Sequence, residues 1–277
     1  MASAPAIHQR IARSAVKTRL RAIGTQHGEV GDAADVQQAQ GLPGPDELAL
    51  LEPLRAKLRP EVFGPAAKSP STAPPASLRE NLRQAQALLA QAGWAYRDGA
   101  LRNAQGEAFT IEFLTDQPSL VRIVTPFQKA LEKLGIQLTF RQVDFSLAKQ
   151  RMDAFDFELT SARLPGSTAP GGELIERFGS EAARTPGSSN AWGLADPAVD
   201  ALLKKVVQAR TRDELRTALR ALDRVLSHGH YSVPHYYGSA FLIGYRPGRF
   251  QLPATIPPYY DAHNWALSTW WASPSNK

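Results

Sequence analysis

Between Phe109 and Thr160 the chain alternates strand-like and helix-like stretches, and this alternation constrains the fold more than any other feature. Phe109–Leu114 alternates apolar and polar residues as a half-buried strand does. Pro118–Leu134 carries apolar residues at helical spacing and stops at Gly135. A second strand is expected over Ile136–Val143, a short helix over Ser146–Met152, and a third strand over Phe155–Thr160. Strand, helix, strand, helix, strand is the pattern of βαβ units, so the segment predicts an α/β lobe with right-handed crossovers.

The flanks carry helix boundaries. Ser77 and Glu80 have capping-box spacing, and Leu78, Leu82, Ala85, Leu88 and Leu89 then form an apolar stripe closed by Gly93. Asp196-Pro197 supplies an N-cap and a first-turn proline for a helix over Ala198–Gln208. Thr211 and Glu214 form a second capping box, opening a helix to about Ser227. Residues 162–195 are rich in Gly, Pro, Ser and Thr, with one helical stretch at Glu173–Phe178; so long a loop is often functional. Tyr231–Tyr237 and Ala240–Tyr245 read as a pair of strands. The stretch Leu42–Ser77 is dense in proline, which leaves only Asp46–Leu58 able to be helical and the rest as extended surface chain. The expected organisation is a basic arm over 1–41, a proline-rich segment over 42–76, an α/β lobe over 77–230, and a return segment over 231–277.

Composition excludes several chemistries. The 277 residues contain no cysteine, so disulfides, thiolate metal sites and cysteine nucleophiles are absent. No apolar run reaches the ~18–20 residues needed to cross a bilayer. The basic residues interrupting Met1–Thr25 leave no secretory signal core, so the sequence read literally predicts a cytoplasmic chain. The net charge of +6 lies partly in Arg10, Arg13, Lys17, Arg19 and Arg21, all before the first acid, Glu29. A basic cytosolic protein associated with nucleic acid is therefore the alternative reading. The arm has no interleaved aromatic for stacking bases, which argues for a solvated arm instead.

The chemical motifs are weak. His228, His230 and His235 lack the spacing that places two ligands on one helix face, so no metal site is expected. Gly64–Ser69 ends like a phosphate loop but lacks the second glycine, and no G-x-S-x-G elbow exists. Asp153, Asp156 and Glu158 read as solvated edge charges. Trp192 among Ser188, Ser189 and Asn190, followed by Tyr236, Tyr237, Tyr259, Tyr260, Trp265, Trp270 and Trp271, provides amphipathic rings suited either to a binding surface or to a core.

Read in order, these pieces resemble the family 5 extracellular solute-binding proteins. Leu82–Trp94 has the form A-x-x-L-L-x-x-A-G-W, followed by Asp98-Gly99, Leu101–Asn103 and Gly106-Glu107. Leu131–Ile136, Phe155–Phe157, Asp196–Leu203 and Leu215–Leu226 leading into Val233-Pro234 follow in the family's order. Gly41–Leu54, Pro170–Glu173 and Phe178–Ser180 look like the branch that takes longer peptides, including those of microcin C type. The resemblance spans about Leu42 to Trp271. It implies one lobe of a type II-like, two-lobed periplasmic binding protein. Such a protein is not an enzyme and needs no cofactor; as a monomer it captures a peptide and delivers it to inner-membrane ABC permease subunits. It binds no nucleic acid.

Many relatives hold the ligand's α-amine with an aspartate after a G-W pair. Here that stretch reads Ser161-Ala-Arg163-Leu-Pro-Gly166-Ser167, without the aspartate. Arg163, Ser167, Glu173, Asn190 and Trp192 are the ligand-binding residues the resemblance suggests in its place, Arg163 as a partner for a carboxylate. Family members are about twice this length, so the resemblance also implies a truncated protein lacking the first lobe and a signal peptide.

Overall fold

The computed structural model describes residues 38–162, 170–233, 249–253 and 262–273. Its centre is a three-stranded parallel sheet built from β3 (Thr110–Thr115), β4 (Gln137–Gln142) and β5 (Leu159–Thr160), in the spatial order β4-β3-β5. Thr110 to Thr115 pair in register with Gln137 to Gln142, and Phe113 and Leu114 pair with Leu159 and Thr160. Helix α3 (Pro118–Glu132) connects β3 to β4, and α4 (Phe145–Asp153) connects β4 to β5.

Alternation along β3 decides which helix covers which face. Ile111 and Phe113 point to one side with Leu138 and Phe140, where they pack against Val124, Phe127 and Leu131 of α3. Phe113 meets Phe140 edge to face at 5.8 Å. Helix α2 (Leu78–Gln91) adds Ala85 and Leu89 to the same core. Glu112 and Leu114 point to the other side. There Arg151 of α4 reaches Glu112 at 3.1 Å, and the Thr160 hydroxyl donates to the Leu114 carbonyl. The sheet is thus clad on both faces, as parallel sheets require.

The third strand is shorter than its periodicity suggests. Phe155 takes a left-handed φ of 56°, and Asp156 turns its carboxylate onto Arg151, so pairing with β3 starts only at Leu159. A hairpin of β1 (Ala95–Arg97) and β2 (Ala100–Arg102) precedes β3. Its two-residue turn, Asp98-Gly99, has φ of 49° and 77°, as a tight hairpin turn needs. Gly135 (φ 76°) lies so close to this hairpin that a Cβ would fall 2.7 Å from the Leu101 amide and the Tyr96 ring.

A second core lies outside the sheet. Helices α6 (Pro197–Gln208) and α7 (Arg212–Gly229) pack together through Val199, Leu202, Leu203, Val206, Leu219, Leu222 and Val225, with Leu174 from α5 (Glu173–Phe178). The Thr211–Glu214 capping box forms reciprocally at the start of α7. Ser77 caps α2, but the Glu80 carboxylate turns outward to Arg83 and Gln84 instead of closing a box.

The proline-rich segment differs from its expectation. Helix α1 (Pro45–Leu51) and 3₁₀ turns at Glu52–Lys57 and Pro60–Phe63 each begin with a proline in the first turn, where its fixed φ favours helix and its missing amide costs nothing. Leu51 and Val62 are 0% and 1% exposed, buried in the α6–α7 core. Arg224 of α7 is likewise 0% exposed and holds the segment down. It donates to the Glu47 carboxylate and to the carbonyls of Gln40, Gly41 and Gly64.

A short antiparallel pair, β6 (Phe250–Gln251) with β7 (Trp271–Ala272), flanks α8 (Ala262–Thr269) in the chain. Most of the strands expected over Tyr231–Tyr237 and Ala240–Tyr245, and nearly all of the basic arm, lie outside the described residues. No described helix is long and apolar enough to cross a membrane.

Candidate functional site at the carboxyl end of the parallel sheet

The strand order locates the site. From β3 the chain crosses to β4 on one side, and from β4 it passes over β3 to β5 on the other, so the two successive crossovers run in opposite directions. In open α/β sheets ligands bind outside the carboxyl ends of the strands, at such a reversal. Here the reversal lies between β3 and β5. The segments leaving it are Thr115-Asp116-Gln117 and Thr160-Ser161-Ala162.

Local bonds shape both. The Thr115 side chain, 3% exposed, accepts from the Gln117 amide at 3.0 Å and fixes the turn into α3. The Thr115 carbonyl accepts from the Val143 amide at 3.0 Å, which ties the ends of β3 and β4 together. On the other strand, the Thr160 hydroxyl is held by the Leu114 carbonyl at 3.0 Å, whereas Ser161 and Ala162 are exposed. Strand β5 is the edge of the sheet among the described residues, paired only with β3. Main-chain groups on the outer side of such an edge are open to an added strand.

The charged cluster beneath is closed upon itself. Glu112 takes Arg141 at 3.2 Å and Arg151 at 3.1 Å, and Arg151 also binds Asp156 at 2.9 Å. Hydrogen bonding to Asp156 raises the Arg151 pKa, with Glu112 adding to the effect. The Glu158 carboxylate accepts the Glu112 amide at 2.6 Å, and Asp153 pairs with Lys149. Asp153, Asp156 and Glu158 are therefore each engaged in a local pairing. No group of three or more metal-ligating side chains occurs among the described residues, and His235 lies outside them.

The five suggested ligand residues fall into two sets. Arg163 and Ser167 lie outside the described residues, just beyond β5. Glu173 is exposed at the start of α5, where its carboxylate accepts the Gly171 amide at 2.9 Å. Asn190 is 0% exposed. Its amide donates to the carbonyls of Gly179 and Leu194 at 3.0 and 2.9 Å, and its oxygen accepts the Leu194 amide at 3.0 Å. Trp192 stacks on Phe178 at 5.3 Å and packs against the α6–α7 core. Asn190 and Trp192 thus knit the loop 179–194 to the second core, with both amide hydrogens of Asn190 already committed. Thr115 and Thr160 carry no motif, and only the strand order reveals them.

Comparison with known proteins agrees with this architecture. Residues 55–185 match the model of the middle part of the bacterial extracellular solute-binding proteins, family 5. The chain is 39% identical over 222 residues to the probable peptide-binding protein YejA of Agrobacterium fabrum, covering 80% of this chain and 36% of that protein. It is 31% identical over 210 residues to the peptidoglycan-binding protein YepA of the same organism, covering 76% and 33%. The chain thus spans about a third of the length of these curated relatives. Among solved structures, the oligopeptide-binding protein AppA of Bacillus subtilis, determined with a nonapeptide, superimposes with a TM-score of 0.56 at 17% identity, over 96% of this chain and 48% of that one. That likeness establishes a shared fold. The matched segment and these relatives together make the chain similar to the family 5 bacterial extracellular solute-binding proteins.

Proposed function

We propose that the chain is the peptide-capturing part of the substrate-binding component of a bacterial ABC importer, acting in the periplasm and handing its ligand to permease subunits in the inner membrane. The observation that carries this reading is the strand reversal between β3 and β5, with an edge strand followed by exposed Ser161 and Ala162. A peptide laid along that edge gains main-chain hydrogen bonds whatever its sequence, and its side chains project alternately to either face. The names and ligand of the relatives support a peptide as the solute. Arg163, Ser167 and Glu173 are proposed to meet the ligand's terminal groups. Binding is non-covalent and the protein is not an enzyme.

Calorimetric titration with tetra-alanine and with its backbone N-methylated counterpart tests this. Main-chain recognition predicts that N-methylation weakens binding at least tenfold. Equal affinities, or no heat with either peptide, contradict it.

A further inference from the structure

Helical spacing divides α4 into two faces. Ala148, Arg151 and Met152 face the sheet: Ala148 is 2% exposed, Arg151 reaches Glu112, and the Met152 sulfur lies by the Thr160 hydroxyl. Phe145, Lys149 and Asp153, four residues apart, share the opposite face with Ser146 and Gln150. Asp144 already caps the helix by accepting the Leu147 amide at 3.0 Å, so helix formation demands nothing of the residue that follows it. That residue is Phe145, and its ring is 67% exposed.

Phe145 borders an open groove of about 780 Å³ that runs along this face to Pro186. The Gly187 amide donates to the Asp153 carbonyl at 3.0 Å, which holds the turn carrying Pro186 beside the last turn of α4. That turn belongs to the second core: Ser188 donates to the Ala182 carbonyl, and Asn190 ties the loop to Gly179 and Leu194. The groove therefore lies where the α/β lobe meets the second core, a kind of junction that small-ligand sites favour. Its Phe145 end closely follows Val143, whose amide is bound by the Thr115 carbonyl, so it opens at the carboxyl end of the sheet.

The side chains on this groove select a ligand class. Phe145, Ala154 and Pro186 are exposed and present apolar surface. Lys149 and Asp153 neutralise each other as an ion pair, which leaves no net charge for an ionic ligand. The Ser146 hydroxyl and the Gln150 amide, one turn apart, have no hydrogen-bond partner among the described residues. A primary amide both donates and accepts, as a peptide group does.

We infer that this groove seats a neutral aromatic residue of a peptide, its ring on Phe145 and its main-chain amide on Gln150. The groove stands apart from capture along β5, because a single blocked residue fills it without adding a strand.

NMR titration of the full chain with N-acetylphenylalanine amide, N-acetylalanine amide and N-acetylphenylalanine tests the inference. The aromatic amide is expected to bind roughly tenfold more tightly than the alanine amide, through ring burial and ring–ring contact. The anionic acid is expected to bind no better than the neutral aromatic amide. Phe145→Ala and Gln150→Ala, both at exposed positions, should each weaken the aromatic amide about fivefold with unchanged circular dichroism, whereas Phe145→Trp retains it. Tetra-alanine affinity should stay at the wild-type value in Phe145→Ala, and a parallel loss would place Phe145 in the sheet-end site and overturn a separate groove. Failure of tetra-alanine to bind the wild type counts against capture along β5 alone. Equal binding of the aromatic and alanine amides, tighter binding of the acid, or an aromatic preference that survives Phe145→Ala overturns the groove.

Discussion

The guanidinium of Arg224, with no exposed surface, donates from Nε to the Glu47 carboxylate at 3.0 Å, linking residues 177 positions apart. Three backbone carbonyls, those of Gln40, Gly41 and Gly64, take three of its other four hydrogens. One side chain on α7 thus ties the start of the proline-rich segment and Gly64 within it to the second core.

Removing that cation leaves Glu47 without its partner and takes a donor from three carbonyls, of which Gly41 keeps the Ala66 amide. Breaking a buried pair from one side costs about 3–5 kcal/mol, so Arg224→Ala is expected to lose that much stability in urea unfolding. Glu47→Gln keeps a hydrogen-bond acceptor and is expected to lose less. Equal stability of Arg224→Ala and the wild type would contradict this role.

Asp223, beside it, gives a pH dependence. Its carboxylate accepts the Ala39 amide at 2.9 Å and meets Ser227, yet burial pushes its pKa above the usual aspartate value. The folded state therefore binds this proton more readily than the unfolded chain does. The wild type should gain stability relative to Asp223→Asn as pH falls through the raised folded pKa towards the unfolded value, and lose that gain as pH rises again. Unfolding midpoints of the two proteins across the acidic range measure the difference, and a constant offset would contradict it.

Asn190 separates structure from binding. Truncation to alanine strands the Leu194 carbonyl and amide, at about 1–3 kcal/mol for each group left unsatisfied, and takes one of two donors from the Gly179 carbonyl. Asn190→Ala should therefore unfold at lower temperature while the folded fraction keeps its affinity for tetra-alanine. A large loss of affinity without a loss of stability would return Asn190 to the ligand site.

Gly135 tests the packing of the hairpin on the sheet. Its left-handed φ of 76° and the 2.7 Å approach of the Leu101 amide leave no room for a methyl group. Gly135→Ala should cost about 1–3 kcal/mol from the strained backbone conformation alone, read as a lower thermal midpoint. An unchanged midpoint would show that the hairpin moves freely.

The sequence alone disclosed those elements whose signals are local. The Thr211 and Glu214 box, the Asp196-Pro197 cap and the helical stripes on α2 and α7 each depend on neighbours within a turn or two, and each forms. The burial of Leu51 and Val62 was not legible, because it depends on Arg224, which lies far along the chain and reads as an ordinary surface arginine of a helix. Asn190 looked like a ligand group for a similar reason: a polar residue in a Ser-rich loop gives no sign that Gly179 and Leu194 fold around it. The site itself was visible only through family resemblance, since Thr115 and Thr160 acquire meaning from the order β4-β3-β5 and not from their own sequence context.

Hydrogen–deuterium exchange of the chain with and without saturating tetra-alanine tests the central claim most directly. Capture at the strand reversal predicts slowed exchange at Asp116-Gln117 and Ser161-Ala162, with α6 and α7 unchanged. Bound peptide that leaves both segments as fast as in the free chain, or that slows only the second core, would contradict it.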